Sequence, residues 1–294
     1  MAKTLPFTGS GVALVTPFKG YTTDYDALGE LIEWHIANGT DAIIICGTTG
    51  ENPTLPDDEH LEIMKYTVEK AAGRICVVAG TGSNDTAHAI RFAKEAEQYG
   101  ADAILQATPY YNKTTQKGLI AHFKAIAESV DLPMILYNVP SRTGMTIQIN
   151  TLKELARIEN IVGIKEASGN ISYVAQIAAE VPELYIYSGN DDMIVPMMSL
   201  GGKGVISVLA NVKPKETHEM CQACFDGDYD RARELQLEYL DLINALFIEV
   251  NPIPVKAAMN LMGLKAGDLR LPMSELTGEK LEKLKEVLKK HGMI

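Results

Sequence analysis

The chain has 294 residues, 46% of them hydrophobic, and a formal net charge of −11. That length allows one large domain or two ordinary ones, and the acidic balance argues against general nucleic-acid or anionic-membrane binding while leaving small anionic substrates open. No apolar run is long enough to span a bilayer, and the opening MAKTLPF carries no apolar signal core, so a cytoplasmic location is expected.

A repeating unit sets in early: a short apolar run, a loop with Gly, Thr, Asn or Pro, then an amphipathic helix. Strands are predicted at 11–17 (GVALVTP), 41–46 (DAIIIC), 75–80 (ICVVAG), 101–108 (ADAILQAT), 133–139 (PMILYNV), 161–167 (IVGIKEA), 184–188 (LYIYS) and 204–209 (GVISVL). Helices are predicted near 24–38, 57–72, 84–99, 115–129, 150–158, 170–180 and 191–200, and after 213. Asp24 and Asn84 are candidate N-caps. In the first helix Leu28, Leu31, Ile32 and Ile36 form one apolar stripe. Gly39, Gly73 and Gly100 suit left-handed helix ends.

Strands apolar throughout indicate a parallel sheet covered by helices. Eight such units predict a (β/α)8 TIM barrel, an α/β fold. No G-x-G-x-x-G follows the first strand, which weakens a dinucleotide-binding alternative. Beyond about 225 the pattern changes to helices alone, at 228–248, 252–263 and 274–291. The expected organisation is a catalytic barrel over 1–224 and a C-terminal helical domain over 225–294, which either covers the barrel or builds an oligomer interface.

Catalytic groups of barrel enzymes lie at the C-terminal ends of strands. The second strand ends in Cys46-Gly47-Thr48-Thr49-Gly50-Glu51-Asn52, whose approachable backbone amides and two hydroxyls suit a carboxylate or phosphate. An ordinary Gly-rich turn reads the same way. The fourth ends in Thr108-Pro109-Tyr110-Tyr111-Asn112-Lys113, where paired tyrosines serve as an interface anchor or a proton relay. In the fifth, alternation puts Tyr137 with Ile135 inside the barrel. Arg142 follows, suited to bidentate capture of a carboxylate or to a surface ion pair.

The sixth strand carries Lys165, in IVGIKEASGN. Lysine is rarely fully buried, and desolvation disfavours the ammonium form. A neutral amine in a pocket attacks a ketone to form a Schiff base. The competing reading pairs Lys165 with Glu166 or lets it snorkel. Gly163, on the same face, is expected to leave space beside the amine. The seventh strand ends in Ser188-Gly189-Asn190-Asp191-Asp192, where the aspartates read as helix-start residues favoured by the dipole. The six histidines form no metal-ligand pattern, so no metal is expected. Cys221 and Cys224 form a C-x-x-C on a helical stretch and read as structural, like Cys46 and Cys76.

An amine nucleophile, an interior tyrosine, threonine hydroxyls and an arginine fit carbon–carbon chemistry on a 2-oxo acid through an enamine, with no cofactor.

The phrases GSGVALVTPF, GTTGENPTL, ATPYYNK, LYNVPSRTG, GIKEASGN, GVISVLAN and NPIPVKAAMNLMGL resemble the 4-hydroxy-tetrahydrodipicolinate synthase (dihydrodipicolinate synthase) family, from about residue 8 to the C-terminus. The resemblance implies a lyase that condenses pyruvate with L-aspartate 4-semialdehyde in diaminopimelate and lysine biosynthesis. It implies that Lys165 forms the Schiff base with pyruvate and that Tyr137 is the proton shuttle. Thr48 would link Tyr137 to Tyr111, contributed by a neighbouring subunit of a homotetramer, a dimer of dimers. Thr49 would hold the pyruvate carboxylate, Arg142 would bind the semialdehyde carboxylate, and Gly189 and Ile206 would line the pocket. Sister aldolases, acting on N-acetylneuraminate or 2-keto-3-deoxy sugar acids, share the lysine and tyrosine. Thr48-Thr49, Tyr111 and Arg142 favour the synthase.

The resemblance also implies a lysine-binding site at a subunit interface, matched here by Asn52, Leu55, His60, Asn84, His88 and Tyr110. His88 stands where sensitive members carry a glutamate, and Asp57 replaces a histidine. Weak inhibition by lysine, or none, is expected.

Overall fold

The computed structural model describes residues 3–294. Eight strands, β1 (Gly9–Ala13), β2 (Ala42–Ile45), β3 (Cys76–Gly80), β4 (Ala103–Ala107), β5 (Met134–Asn138), β6 (Ile161–Glu166), β7 (Tyr185–Ser188) and β8 (Gly204–Ser207), close a barrel in which all neighbours run parallel. Each is followed by a helix: α1 (Tyr25–Ala37), α2 (Asp57–Ala71), α3 (Thr86–Tyr99), α4 (Gln116–Ala127), α5 (Ile149–Leu155), α6 (Ile171–Glu180), α7 (Ile194–Ser199) and α8 (Pro214–Phe225). Four more helices follow: α9 (Tyr229–Glu238), α10 (Leu240–Ala245), α11 (Ile253–Leu261) and α12 (Gly278–Lys290).

Two apolar layers separate as alternation requires. Outward-facing residues such as Val12, Ile43, Val77, Ile104, Leu136 and Ile164 pack under the helices. Inward-facing Ala13, Ile44, Val78, Leu105, Ile135, Tyr137, Tyr187 and Ile206 fill the barrel, with Phe7 stacked on Tyr187 at its floor. Where β1 meets β8, Gly9 faces Gly204. A Cβ on Gly204 would sit 2.0 Å from the Gly9 carbonyl oxygen, so this seam closes only because the side chain is missing.

Several local expectations are corrected. The first strand is Gly9–Ala13 rather than 11–17, because the ladder to β2 and β8 ends there. A short hairpin follows, Phe18–Lys19 against Thr22–Thr23. Asp24 caps α1 by accepting from Ala27 N at 2.9 Å, as expected. The cap of α3 is Asp85, accepting from Ala87 N, while Asn84 bonds the Tyr110 carbonyl instead. The helix expected at 228–248 is broken at Tyr239 into α9 and α10.

Candidate active site

Lys165 and Tyr137 are direct neighbours in the β5–β6 register. Lys165 is 6% exposed, and its Nζ stands 4.3 Å from the centroid of the Tyr137 ring. The alternative pairing with Glu166 does not occur. Glu166 points to the other face of β6, accepting from Asn138 Nδ2 at 2.7 Å and Ser168 N at 2.6 Å. Burial pushes its carboxyl above the ordinary range. No ion pair engages Lys165 among the described residues.

The room beside the amine comes from a different glycine than expected. A Cβ on Gly163 would meet the Tyr185 carbonyl oxygen at 2.7 Å and the Tyr187 ring at 3.4 Å, so that side of the strand is filled. A Cβ on Gly189, at the end of β7, would lie 3.2 Å from Lys165 Cε and 2.6 Å from Ala167 Cβ. Gly189 therefore makes the space in which the lysine stem lies. Ile206 is buried on β8 within the same inner cluster as Tyr137.

Asp191 is not a cap of its own turn. Its Oδ2 accepts from Val208 N at 3.0 Å and Leu209 N at 2.9 Å, tying β7 to the turn after Ile206. Burial raises its carboxyl above the usual range, and these amides partly offset that.

The loop after β2 is wound into two successive turns: Gly50 N donates to Gly47 O and Glu51 N to Thr48 O, each at 3.1 Å. The N–H groups of Thr48 and Thr49 find no backbone acceptor among the described residues. Two unspent amides on neighbouring residues can receive a carboxylate. Thr49 is 3% exposed, and its Oγ1 accepts from Asn251 Nδ2 at 3.0 Å.

The loop is anchored from the C-terminal region. Glu51, at φ 57°, places Oε1 2.8 Å from Lys256 Nζ, and its Oε2 accepts from Arg270 N at 3.1 Å. Lys256 also donates to the Thr16 carbonyl at 2.8 Å and to the Asp268 carbonyl, and it lies over the Phe18 ring. Both ionic side chains are 1% exposed. Burial lowers the Lys256 ammonium from its ordinary value, and Glu51 opposes that.

The barrel mouth opens into a cavity of about 220 Å³ lined by Thr48, Asn52, Tyr110, Tyr137, Arg142 and Thr143, among others. Lys165 is not one of its lining residues and adjoins it through the Tyr137 ring. Arg142 sits on a four-residue turn (Pro140–Thr143) started by proline and ended by Gly144, and its Nη2 donates to the Asn251 carbonyl at 3.3 Å. Thr48, Tyr137 and Arg142 thus share one cavity. Tyr111 does not join them within the chain: it is 94% exposed, with φ 67°.

The remaining predicted residues do not line one cavity. Asn52 and Tyr110 face the main one. Leu55 is buried. His60 is also buried, with Nε2 at 2.9 Å from the Gly80 carbonyl and its ring against Phe92. His88 Nε2 lies 3.0 Å from Asp57 Oδ1, and Arg91 Nη1 is 2.9 Å from Asp57 Oδ2. Cys221 and Cys224 are buried free thiols on α8, and burial raises both.

Sequence reasoning missed Asn251, Glu51 and Lys256. For Asn251 and Lys256 the signal was polarity inside an apolar stretch, Asn251-Pro252-Ile253-Pro254-Val255-Lys256, whereas Glu51 stands in a polar Gly-rich loop and carried none. A buried lysine at position 256 is as anomalous as one at 165.

Fold and site define a class: a closed parallel barrel with a buried lysine beside a tyrosine at adjacent strand ends, the tyrosine lining a cavity that carries hydroxyls and an arginine. The pattern of the Dihydrodipicolinate synthetase family matches residues 6–291, and the chain belongs to that family. It is 59% identical to 4-hydroxy-tetrahydrodipicolinate synthase of Acetivibrio thermocellus over 289 residues, covering 98% of each chain. Its fold is similar to that of dihydrodipicolinate synthase from Aquifex aeolicus (TM-score 0.96, 49% identity, 98% of this chain and 99% of that one). It is similar also to the enzyme from Acinetobacter baumannii solved in complex with pyruvate (TM-score 0.94, 46% identity, 98% and 99% covered).

Proposed function

We propose that this chain condenses pyruvate with L-aspartate 4-semialdehyde to 4-hydroxy-tetrahydrodipicolinate, in diaminopimelate and lysine biosynthesis. The observation that carries the reading is Lys165, buried at the end of β6 and facing Tyr137 rather than a carboxylate. Its amine attacks the pyruvate ketone and water leaves, giving an imine. The imine acts as the electron sink when a methyl proton is lost, so the chemistry needs no cofactor or metal. The resulting enamine attacks the aldehyde carbon, whose oxygen takes up a proton and becomes the hydroxyl. The amino group of the semialdehyde then adds to the imine carbon, closing the ring as a cyclic imine and releasing the Lys165 amine. Tyr137 carries protons for these steps, relayed through Thr48. Thr49 and the neighbouring amides hold the pyruvate carboxylate, Arg142 takes that of the semialdehyde, and Gly189 and Ile206 shape the pocket around the imine.

The relay is completed by Tyr111 of a second copy in a homotetramer. Its near-complete exposure in the single chain supports a role outside its own cavity. Lysine inhibits weakly or not at all, since Asp57 is already engaged by His88 and Arg91. An incoming ammonium there meets the Arg91 guanidinium and a carboxylate already engaged, where a free carboxylate is wanted.

The test is a coupled assay with both substrates, the downstream reductase and its nicotinamide cofactor. Turnover should vanish in Lys165→Ala, together with borohydride trapping of pyruvate. Tyr137→Phe should slow turnover on the order of 10²–10⁴-fold, the range for a lost proton relay. Pyruvate trapped on Lys165 without turnover of the semialdehyde would move the assignment to a sister aldolase.

A further inference from the structure

Asn251 lies in the connection between α10 and α11, far from the barrel strands in sequence, yet it touches both carboxylate-binding elements. Its side-chain amide donates to Thr49 Oγ1 at 3.0 Å, and its main-chain carbonyl receives Arg142 Nη2 at 3.3 Å. The residue is 5% exposed, and its Oδ1 is buried without a partner. An amide NH2 only donates, and a threonine hydroxyl has one hydrogen. While Asn251 occupies a lone pair of Oγ1, that hydrogen is not spent on Asn251 and is left to donate elsewhere. A group that binds a carboxylate must be a donor.

We propose that Asn251 is a positioning residue that fixes the hydrogen-bond polarity of the site: its amide holds the Thr49 hydroxyl as a donor to the carboxylate of the bound 2-oxo acid. This rests on the reading that Thr49 holds that carboxylate. The main-chain contact to Arg142 does not depend on the side chain, so the two substrates respond differently to substitution at position 251.

The decisive variant is Asn251→Asp, which keeps the shape and removes the donor. The ionised carboxylate only accepts. It draws the Thr49 hydrogen toward itself and turns an acceptor toward the anionic substrate. KM for pyruvate should rise on the order of 10²-fold, as for a hydrogen bond to a charged group, while KM for the semialdehyde changes less than about threefold. The pyruvate KM should also acquire a pH dependence absent from the wild type, improving as the aspartate is protonated. A general loss of structure would move both KM values together and create no new titration.

Asn251→Ala adds no charge and frees the hydroxyl to rotate; KM for pyruvate should rise about tenfold. Thr49→Val is measured alongside. If Thr49→Val raises the pyruvate KM but neither Asn251 variant does, the proposal for Asn251 is wrong and the role of Thr49 stands. If Thr49→Val leaves the pyruvate KM unchanged, the reading of Thr49 fails and the proposal with it.

Discussion

Gly189→Ala adds one methyl group at the point where β7 passes the lysine. The new Cβ would stand 2.6 Å from Ala167 Cβ, 3.1 Å from the Glu166 carbonyl oxygen and 3.2 Å from Lys165 Cε. Ordinary contact begins at 3.4 Å, so against Ala167 the deficit is about 0.8 Å. Lys165 Cε can swing away, but Ala167 and the Glu166 carbonyl belong to the end of β6, where Gly189 N donates to that same carbonyl at 2.8 Å. Relief therefore shifts the strand end that carries the nucleophile. Overpacking of this kind costs about 1–3 kcal/mol of stability, and a displacement near 1 Å at a reacting centre costs on the order of 10²-fold in rate. The assay is the rate of borohydride trapping of pyruvate on Lys165, beside kcat and the urea midpoint. Trapping should slow by about that factor in a folded protein. Wild-type trapping and kcat would refute the claim that Gly189 makes the space for the lysine stem.

Lys256→Met leaves Glu51 buried without its partner and should cost about 3–5 kcal/mol of unfolding free energy. Pairing it with Glu51→Gln should recover part of the loss, and a double variant no better than the single would contradict the ion-pair account. Burial holds the His60 imidazole down at about 4, from an ordinary 6.5. The folded state then binds that proton less readily than the unfolded one, so its contribution is intact above pH 6.5 and is lost as pH falls toward 4, on the order of 3 kcal/mol; His60→Gln should make the fall of the urea midpoint across that window shallower, the rest of the fall being carried by groups such as His35, which burial holds down at about 3. Lysine at low micromolar concentration should leave turnover unchanged, and strong inhibition there would overturn the reading of His88 and Asp57. Sedimentation at assay concentration should give the mass of four chains; a fully active monomer would remove Tyr111 from the relay.

Much of the barrel was legible in the sequence because its signals are local. Alternation along Met134–Asn138 sends Tyr137 inward, and eight apolar runs separated by helices leave few closed arrangements of a parallel sheet. Lys165 stood out because a lysine inside an apolar strand conflicts with its own solvation. What only the tertiary structure decided depends on contacts between distant segments. Asn251 meets Thr49 across 202 positions and Lys256 meets Glu51 across 205. No periodicity reports such pairs, since even a residue as unusual as Lys256 in its apolar stretch carries no mark of which distant partner it meets. The same holds for the two glycines. Both precede or follow the lysine in strands of similar pattern, yet Gly163 faces a filled interior and Gly189 faces the amine stem, a difference set by which neighbouring strand lies beside each. The sequence determined which residues point into the barrel; the packing of the C-terminal helices onto its mouth determined how the loop bearing Thr48 and Thr49 is held.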